Sequence, residues 1–487
     1  MNTQGMTGKP PYAMIAILFV GAFVSLLNET LLNVALPSIM KDFDVSASSV
    51  QWLSTGYMLV NGVLIPASAF FIQKFTNRKL FITAMVLFTL GSVLATLAPS
   101  FGVLLAARMI QASGSAIMMP LLMNVMLASF PIERRGAAMG IFGLVMITAP
   151  AIGPTLSGWL IEHYTWRTLF DVVIPIAVMT LLFAIFKLKN ITTQRHIKLD
   201  VSSLILSSIG FGGILYGFSS AGEKGWDSIH VYGAIASGVI GLVLFIWRQM
   251  RLDEPLLEFR IYRYPMFALS SAISVVLAMA MFSAMLLMPI YVQTIRGISP
   301  LHSGLLMLPG ALAMGIMSPI TGKLFDKFGA RILAVTGLSI MIATTFMFSN
   351  LTMDTEYSYI MFIYTLRMFG MSMVMMPVMT NGLNQLPQSM NPHGTAMNNT
   401  LQQVSGAVGS AFLVTLMQNR TESEMERLSE SAADPAAMAN IANKAMLNGI
   451  NFSFTISIFI AIIALILSFF MKRVTPSKEP IKQQSAG

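Results

Sequence analysis

The 487-residue sequence predicts an all-α membrane protein, with two six-helix bundles and a two-helix hairpin inserted between them. Three observations carry that expectation. The composition is 55% hydrophobic and only 10% charged, with a mean hydropathy of +0.71, far too apolar for a soluble globular chain. The apolar residues fall into runs long enough to cross about 30 Å of hydrocarbon as helix. Finally, links and spans of the first half echo those of the second, as in transporter folds that place substrate between two related halves near the midplane.

Runs occupy 12–36, 51–72, 80–98, 101–127, 137–161, 168–186, 200–220, 229–247, 266–291, 303–320, 332–350, 357–380, 398–418 and 450–471, which gives fourteen spans. They lack the dyad alternation of outer-membrane barrel strands and carry frequent Gly and Pro, so they read as helices. The first is too long for a secretory h-region and is expected to remain as a span. The N-terminal bundle is expected over 1–190, the inserted hairpin with its linkers over 191–263, the C-terminal bundle over 264–475, and a tail over 476–487. The segment 419–446, rich in Glu, Ser, Ala and Asn, reads as the longest external loop, with an amphipathic helix and disorder both open.

A net charge of +9 in a soluble protein suggests nucleic acid, but here the basic residues gather in alternate links. Lys74, Arg78 and Lys79, Arg134 and Arg135, Lys187 to Lys198, Arg248 to Arg263, and Lys323, Lys327 and Arg331 fall on one side with the basic tail. That asymmetry places both termini in the cytoplasm of a cell membrane, with the lipid bilayer as partner and no nucleic acid. The absence of Cys excludes disulfides and thiolate sites. No metal-ligand cluster, Walker-type phosphate loop or nucleophile motif occurs, so neither an enzyme, an ATP-driven pump nor a bound cofactor is expected.

The repeat is explicit at two places. Gln73-Lys74-Phe75-Thr76-Asn77-Arg78 follows the second span and Asp326-Lys327-Phe328-Gly329-Ala330-Arg331 the tenth. Arg108-Met109 leads to Met118-Met119-Pro120 in the fourth span, as Arg367-Met368 leads to Met375-Met376-Pro377 in the twelfth.

Glu29 lies inside the first apolar run, and no other acid sits clearly within a span. A carboxylate near mid-bilayer costs roughly 2.5–3.5 kcal/mol on insertion scales, so it faces a cavity, pairs with a cation or carries protons. At 1.5 Å per residue, Glu29 and Arg108 both fall roughly 10 Å inside the outer boundary, a depth at which they can meet. Desolvation and a guanidinium pull on a carboxyl proton in opposite senses, which suits a group that loads and releases protons. A static pair holding two helices together is the other open reading.

The 40 methionines form stripes, with Met368, Met371, Met375 and Met379 on the twelfth span and Met119, Met123 and Met126 on the fourth. They either pack helices or line a pocket that remoulds around varied apolar ligands. Asn28, Asn33, Asn61, Gln111, Asn124, Asn398, Asn399 and Gln402 would orient a ligand there, with Trp52 and Tyr57 for stacking. Interhelical hydrogen bonding is the alternative for each. Gly153-Pro154-Thr155-Leu156-Ser157-Gly158 suits a helix that seals closely against a partner.

These residues resemble the major facilitator superfamily over nearly the whole chain, most closely its fourteen-helix drug:proton antiporters of the EmrB/QacA type. The family's loop signature is kept in Gly322, Leu324, Asp326, Lys327, Gly329 and Arg331, and degraded in the first copy. There Gln73 replaces the aspartate, Lys74 the arginine and Thr76 the second glycine, ahead of Arg78. Leu104, Arg108, Gln111, Gly114 and Ala116 resemble the fourth-span motif, and Gly153, Pro154 and Gly158 resemble the exporter motif of the fifth. Phe71 to Arg78 looks most like the lincomycin-efflux branch, LmrB-like proteins of Gram-positive bacteria. One departure is Asn28, which stands where the family has an acid and is followed by Glu29. The resemblance implies a proton-coupled antiporter that exports structurally varied amphiphilic drugs, lincosamides among them, by alternating access, functioning as a monomer with the proton as coupling ion. The alternative is a dedicated exporter of a physiological metabolite or peptide.

Overall fold

The computed structural model describes residues 12–129, 149, 152–188, 190, 200–252, 255, 257–387, 390–429 and 435–474. Helices in chain order are α1 (Tyr12–Phe43), α2 (Ala47–Lys74), α3 (Asn77–Thr96), α4 (Phe101–Ser129), α5 (152–163), α6 (Thr168–Lys187), α7 (Val201–Lys224) and α8 (Ile229–Gln249). There follow α9 (Pro265–Ile290), α10 (Pro300–Phe325), α11 (Lys327–Phe348), α12 (Tyr357–Asn384), α13 (Asn391–Ser429) and α14 (Pro435–Phe469). No strand occurs among the described residues, and eleven helices there are long and apolar enough to cross a membrane. Three of the fourteen expected spans are not among those eleven. Most of the fifth, 137–161, lies outside the described residues. Helices α2 and α13 carry many buried polar groups, including Gln51, Thr55, Asn61, Asn398 and Thr415.

Helix ends follow from local chemistry. Ser46 caps α2 by accepting from the Ser49 amide, and Ser299 caps α10 ahead of Pro300. The two repeated links turn differently. At the start of α11 the chain breaks at Gly329, where φ is +77°, a conformation only glycine adopts without strain. Between α2 and α3, Thr76 is extended at φ −66° and its side chain accepts from the Lys79 amide. The glycine position is therefore filled by a helix cap in the first copy, which needs no positive φ.

Of the two alternatives open for 419–446, the helical one is what the structure shows. Helix α13 continues to Ser429 and α14 starts at Pro435, so helix occupies most of the segment. Buried Glu424 sits between Arg420 at 2.6 Å and Arg427 at 2.7 Å, neutralising charges within this extension.

Two apolar cores organise the packing. One joins α1, α3, α4 and α6 around Leu18, Phe81, Phe88 and Phe170. The other joins α9 to α14 around Tyr291, Phe348, Met371 and Phe454. The cores meet where α1 touches α9 and α10, and α2 packs along α13. Helices α7 and α8 pair with each other, and α7 lies against both α2 and α13.

Candidate functional site

A cavity of about 200 Å³ lies between the two cores and draws its walls from both. The first half contributes Glu29, Thr30 and Asn33 from α1, Ser54 and Tyr57 from α2, Arg108 from α4 and Pro154 from α5. The second contributes methionines from three helices, Met281 and Met285, Met307 and Met314, and Met368, Met371 and Met375, together with Gln402 and Gln403. Charge thus lines one wall and thioethers the other.

Glu29 faces this cavity, the outcome that its position in an apolar run demands. Arg108 is 1% exposed and is the cation whose field acts on the Glu29 carboxyl. The two share the cavity without a direct ion pair, so the static-pair reading does not hold in this conformation. Arg108 is fixed instead by neutral groups. One guanidinium nitrogen donates to Gln111 Oε1, Gln111 Nε2 donates to Ser92 Oγ at 2.8 Å, and Ser92 donates to the Phe88 carbonyl at 2.8 Å. Its guanidinium also lies 4.2 Å from the Tyr57 ring centroid, a cation–π contact that holds it flat. A positive charge is thereby held at the wall of the cavity that Glu29 also lines.

Of the residues expected to line a pocket, Asn33, Tyr57, Met368, Met371, Met375 and Gln402 line the cavity. The others do not. Gln111 belongs to the chain behind Arg108, and Trp52 stands 6.0 Å from Tyr216 of the hairpin. Asn28, Asn61 and Asn398 are buried within helix contacts, Met119 packs on the first core, Met123 and Met379 are half-buried, and Asn124 is exposed. Met281, Met285, Met307 and Met314 were not singled out by sequence. Their spacings of four and seven residues place each pair on one helix face, a weak signal among 40 methionines.

One end of the bundle, that of the α1–α2 link, is closed. There Ser48 N donates to Gln418 Oε1 at 3.2 Å, Gln293 Nε2 to the Val34 carbonyl at 2.9 Å, and Ser299 Oγ to Glu162 Oε2 at 2.9 Å. Thr155 also reaches the Gly304 carbonyl at 3.4 Å.

The fifth-span motif takes part in this closure. A Cβ at Gly158 would lie 2.2 Å from the Pro300 carbonyl oxygen, and one at Gly304 would lie 2.2 Å from that of Pro154, so only glycines allow α5 and α10 to approach so closely. Gly153 abuts Thr30 of α1 in the same way. The loop signatures sit at the opposite end. Arg78 donates to the Ile185 carbonyl at 2.7 Å, and Lys74 lies over the Phe70 ring at 5.2 Å. In the second copy Lys327 lies over Phe328 at 5.3 Å, and Gly322 and Arg331 are exposed. The Gln73 and Asp326 side chains fall outside the described residues.

Comparison with known proteins agrees with this geometry. The family model described as Major Facilitator Superfamily matches residues 18–410. The MFS-type transporter YcnB of Bacillus subtilis is 47% identical over 97% of this chain and 97% of its own. The lincomycin resistance protein LmrB of the same organism is 44% identical over 95% of each chain, and the multidrug resistance protein Stp of Mycobacterium tuberculosis is 26% identical over 85% of this chain and 78% of its own. Among solved structures, a bacterial homologue of the human lysosomal transporter Spinster, inward-facing and unoccupied, superposes with a TM-score of 0.65. That match has 16% identity and covers 95% of this chain and 97% of the other.

Proposed function

The chain belongs to the major facilitator superfamily of multi-pass membrane transporters, and on that premise we propose that it is a proton-coupled antiporter exporting amphiphilic drugs by alternating access. The observation that carries the reading is Glu29, an intramembrane acid open to a cavity it shares with a fixed guanidinium and a wall of methionines. Flexible, polarisable thioethers adapt to apolar bodies of different shape, while Asn33, Ser54, Tyr57 and Gln402 offer hydrogen bonds to a polar end. A proton on Glu29 leaves Arg108 as the uncompensated charge of the cavity; its departure restores balance. Protonation therefore changes what the cavity binds, as coupling requires.

The charge asymmetry of the links assigns the loop-signature end to the cytoplasm and both termini with it. On that reading the end closed by Ser48, Gln293 and Ser299 is the outer one, which supports a cavity shut towards the outside. The proton is the only coupling ion invoked, no cofactor is needed, and one chain supplies both walls of the cavity. Relatives named for lincomycin resistance make lincosamides the first substrates to test.

The test is substrate-coupled proton movement in liposomes containing purified protein. Wild type should move protons when drug is supplied against a pH gradient; Glu29→Gln should insert normally and lose that flux. Full coupled transport by the variant rejects the proposal.

A further inference from the structure

The inserted hairpin belongs to neither apolar core and lines no part of the cavity, yet α7 touches both halves at once. Leu215 packs with Met58 of α2 and Ala407 of α13, Tyr216 faces Trp52 of α2, and Phe218 meets Phe412 of α13 edge-on with centroids 6.4 Å apart. These contacts straddle the α2–α13 seam.

Two contacts set the register of that seam. Ser48 N bonds Gln418 Oε1 at 3.2 Å, and a Cβ at Gly62 would lie 2.9 Å from Val404. Between them, positions 48, 51, 55, 58 and 62 recur at steps of three and four on α2, as do 418, 415, 411, 408 and 404 on α13. Each set occupies one helix face, and antiparallel pairing brings Gln51 to the level of Thr415. Both are 0% exposed. Neither amide atom of Gln51 nor the Thr415 hydroxyl has a protein partner, and the buried Ser54 hydroxyl one turn on, at the cavity edge, lacks one too.

Buried amides and hydroxyls are seldom left unpaired, and bound water is their usual partner where protein supplies none. Lipid chains offer no hydrogen bonds, so such a seam cannot face them. We propose that the α2–α13 seam is a water-binding site and that the inserted hairpin is its cover on the lipid side. When the halves part at this end, Gln51, Thr415 and Ser54 exchange trapped water for bulk water, and the one direct polar contact named in the seam that must break is Ser48 N to Gln418 Oε1. The opposite seam, at Gly158 and Gly304, is packed backbone against backbone.

Because the chain contains no cysteine, single thiols report on the seam without background. Thr415→Cys, with Gln51→Cys as a second probe, is compared with Ala407→Cys two turns deeper, in full-length protein in nanodiscs. The reagent is a small cationic methanethiosulfonate, which needs a solvated thiolate. Thr415→Cys or Gln51→Cys should react at least about tenfold faster than Ala407→Cys, because only a hydrated thiol ionises readily. Equal rates, whether slow or fast, overturn the water site. Adding Leu215→Ala with Tyr216→Ala should slow the Thr415→Cys reaction about fivefold or more as acyl chains enter, since thiolate formation needs water. An unchanged or faster reaction overturns the cover. This readout does not depend on the protein being an antiporter.

Discussion

Arg108 and Arg367 hold corresponding places in the two halves and are each 1% exposed, but their surroundings differ. Arg108 is anchored through Gln111 and Ser92, lies over Tyr57, and shares the cavity with Glu29. Arg367 is anchored to the Thr345 hydroxyl and to the Ala280 carbonyl at 3.1 Å, and lies behind the cavity wall that Tyr364 and Met368 form. Both arginines tie neighbouring helices together, the first α3 and α4, the second α9, α11 and α12. Only the first has an acid across the cavity. The repeat therefore kept a structural cation in each half and gave one half the charge pair while the other became the thioether wall.

The sharpest way to break that comparison is to remove each cation in turn. Arg108→Met should lower coupled efflux roughly a hundredfold, about 2.7 kcal/mol. Arg367→Met should lower it less than about tenfold, because Arg367 lies behind the cavity wall and has no acid across the cavity. Initial efflux rates at matched membrane abundance decide it; equal losses would erase the distinction.

A smaller effect is expected at the closed end. Gly158→Val drives a side chain into the Pro300 carbonyl, so overpacking should destabilise closure by about 1–3 kcal/mol. Efflux should fall and disulfide trapping between α5 and α10 should weaken, whereas retained trapping would show that α5 yields easily. On the thioether wall, Met371→Leu with Met375→Leu conserves volume and should change efflux only about twofold, with loss of range for bulky drugs. Drug-panel efflux rates measure this.

The smallest effect concerns an arginine that does have an acid. Arg248 donates to both oxygens of Asp200 at 2.7 and 2.8 Å, at the base of the hairpin, and holds that carboxyl at about 2. A depressed carboxylate stabilises the fold above its unfolded value near 3.9 and loses that contribution as pH falls towards the folded one. Thermal unfolding of Asp200→Asn should thus lag wild type by a constant margin above about pH 5 and converge with it in acid. A margin that persists at low pH would assign the effect to packing.

Much of this architecture was legible in the residues. Hydropathy located most spans, and the cost of a carboxylate in hydrocarbon pointed Glu29 inward before any helix was placed. The depth argument for Arg108 put it at the right level, although no direct pair forms. Less legible were the walls. Asn61 and Asn398 are polar residues in spans, as Asn33 and Gln402 are, yet the first two are buried in helix contacts while the others reach the cavity. The 419–446 segment left helix and disorder open because its polar composition suits both, and the pairing of Glu424 with Arg420 and Arg427 goes with the helix.

By itself the sequence determined most of the segments long and apolar enough to cross a membrane, which acid lies among them, and where the two halves repeat one another. Tertiary structure alone decided which methionines form the wall, that α5 and α10 close one end, and that α7 covers the seam of α2 and α13. The reason is the solvent. A membrane helix is apolar towards both lipid and its neighbours, so the contrast that marks the buried face of a soluble helix is absent, and helix orientation is set by contacts distant in the chain.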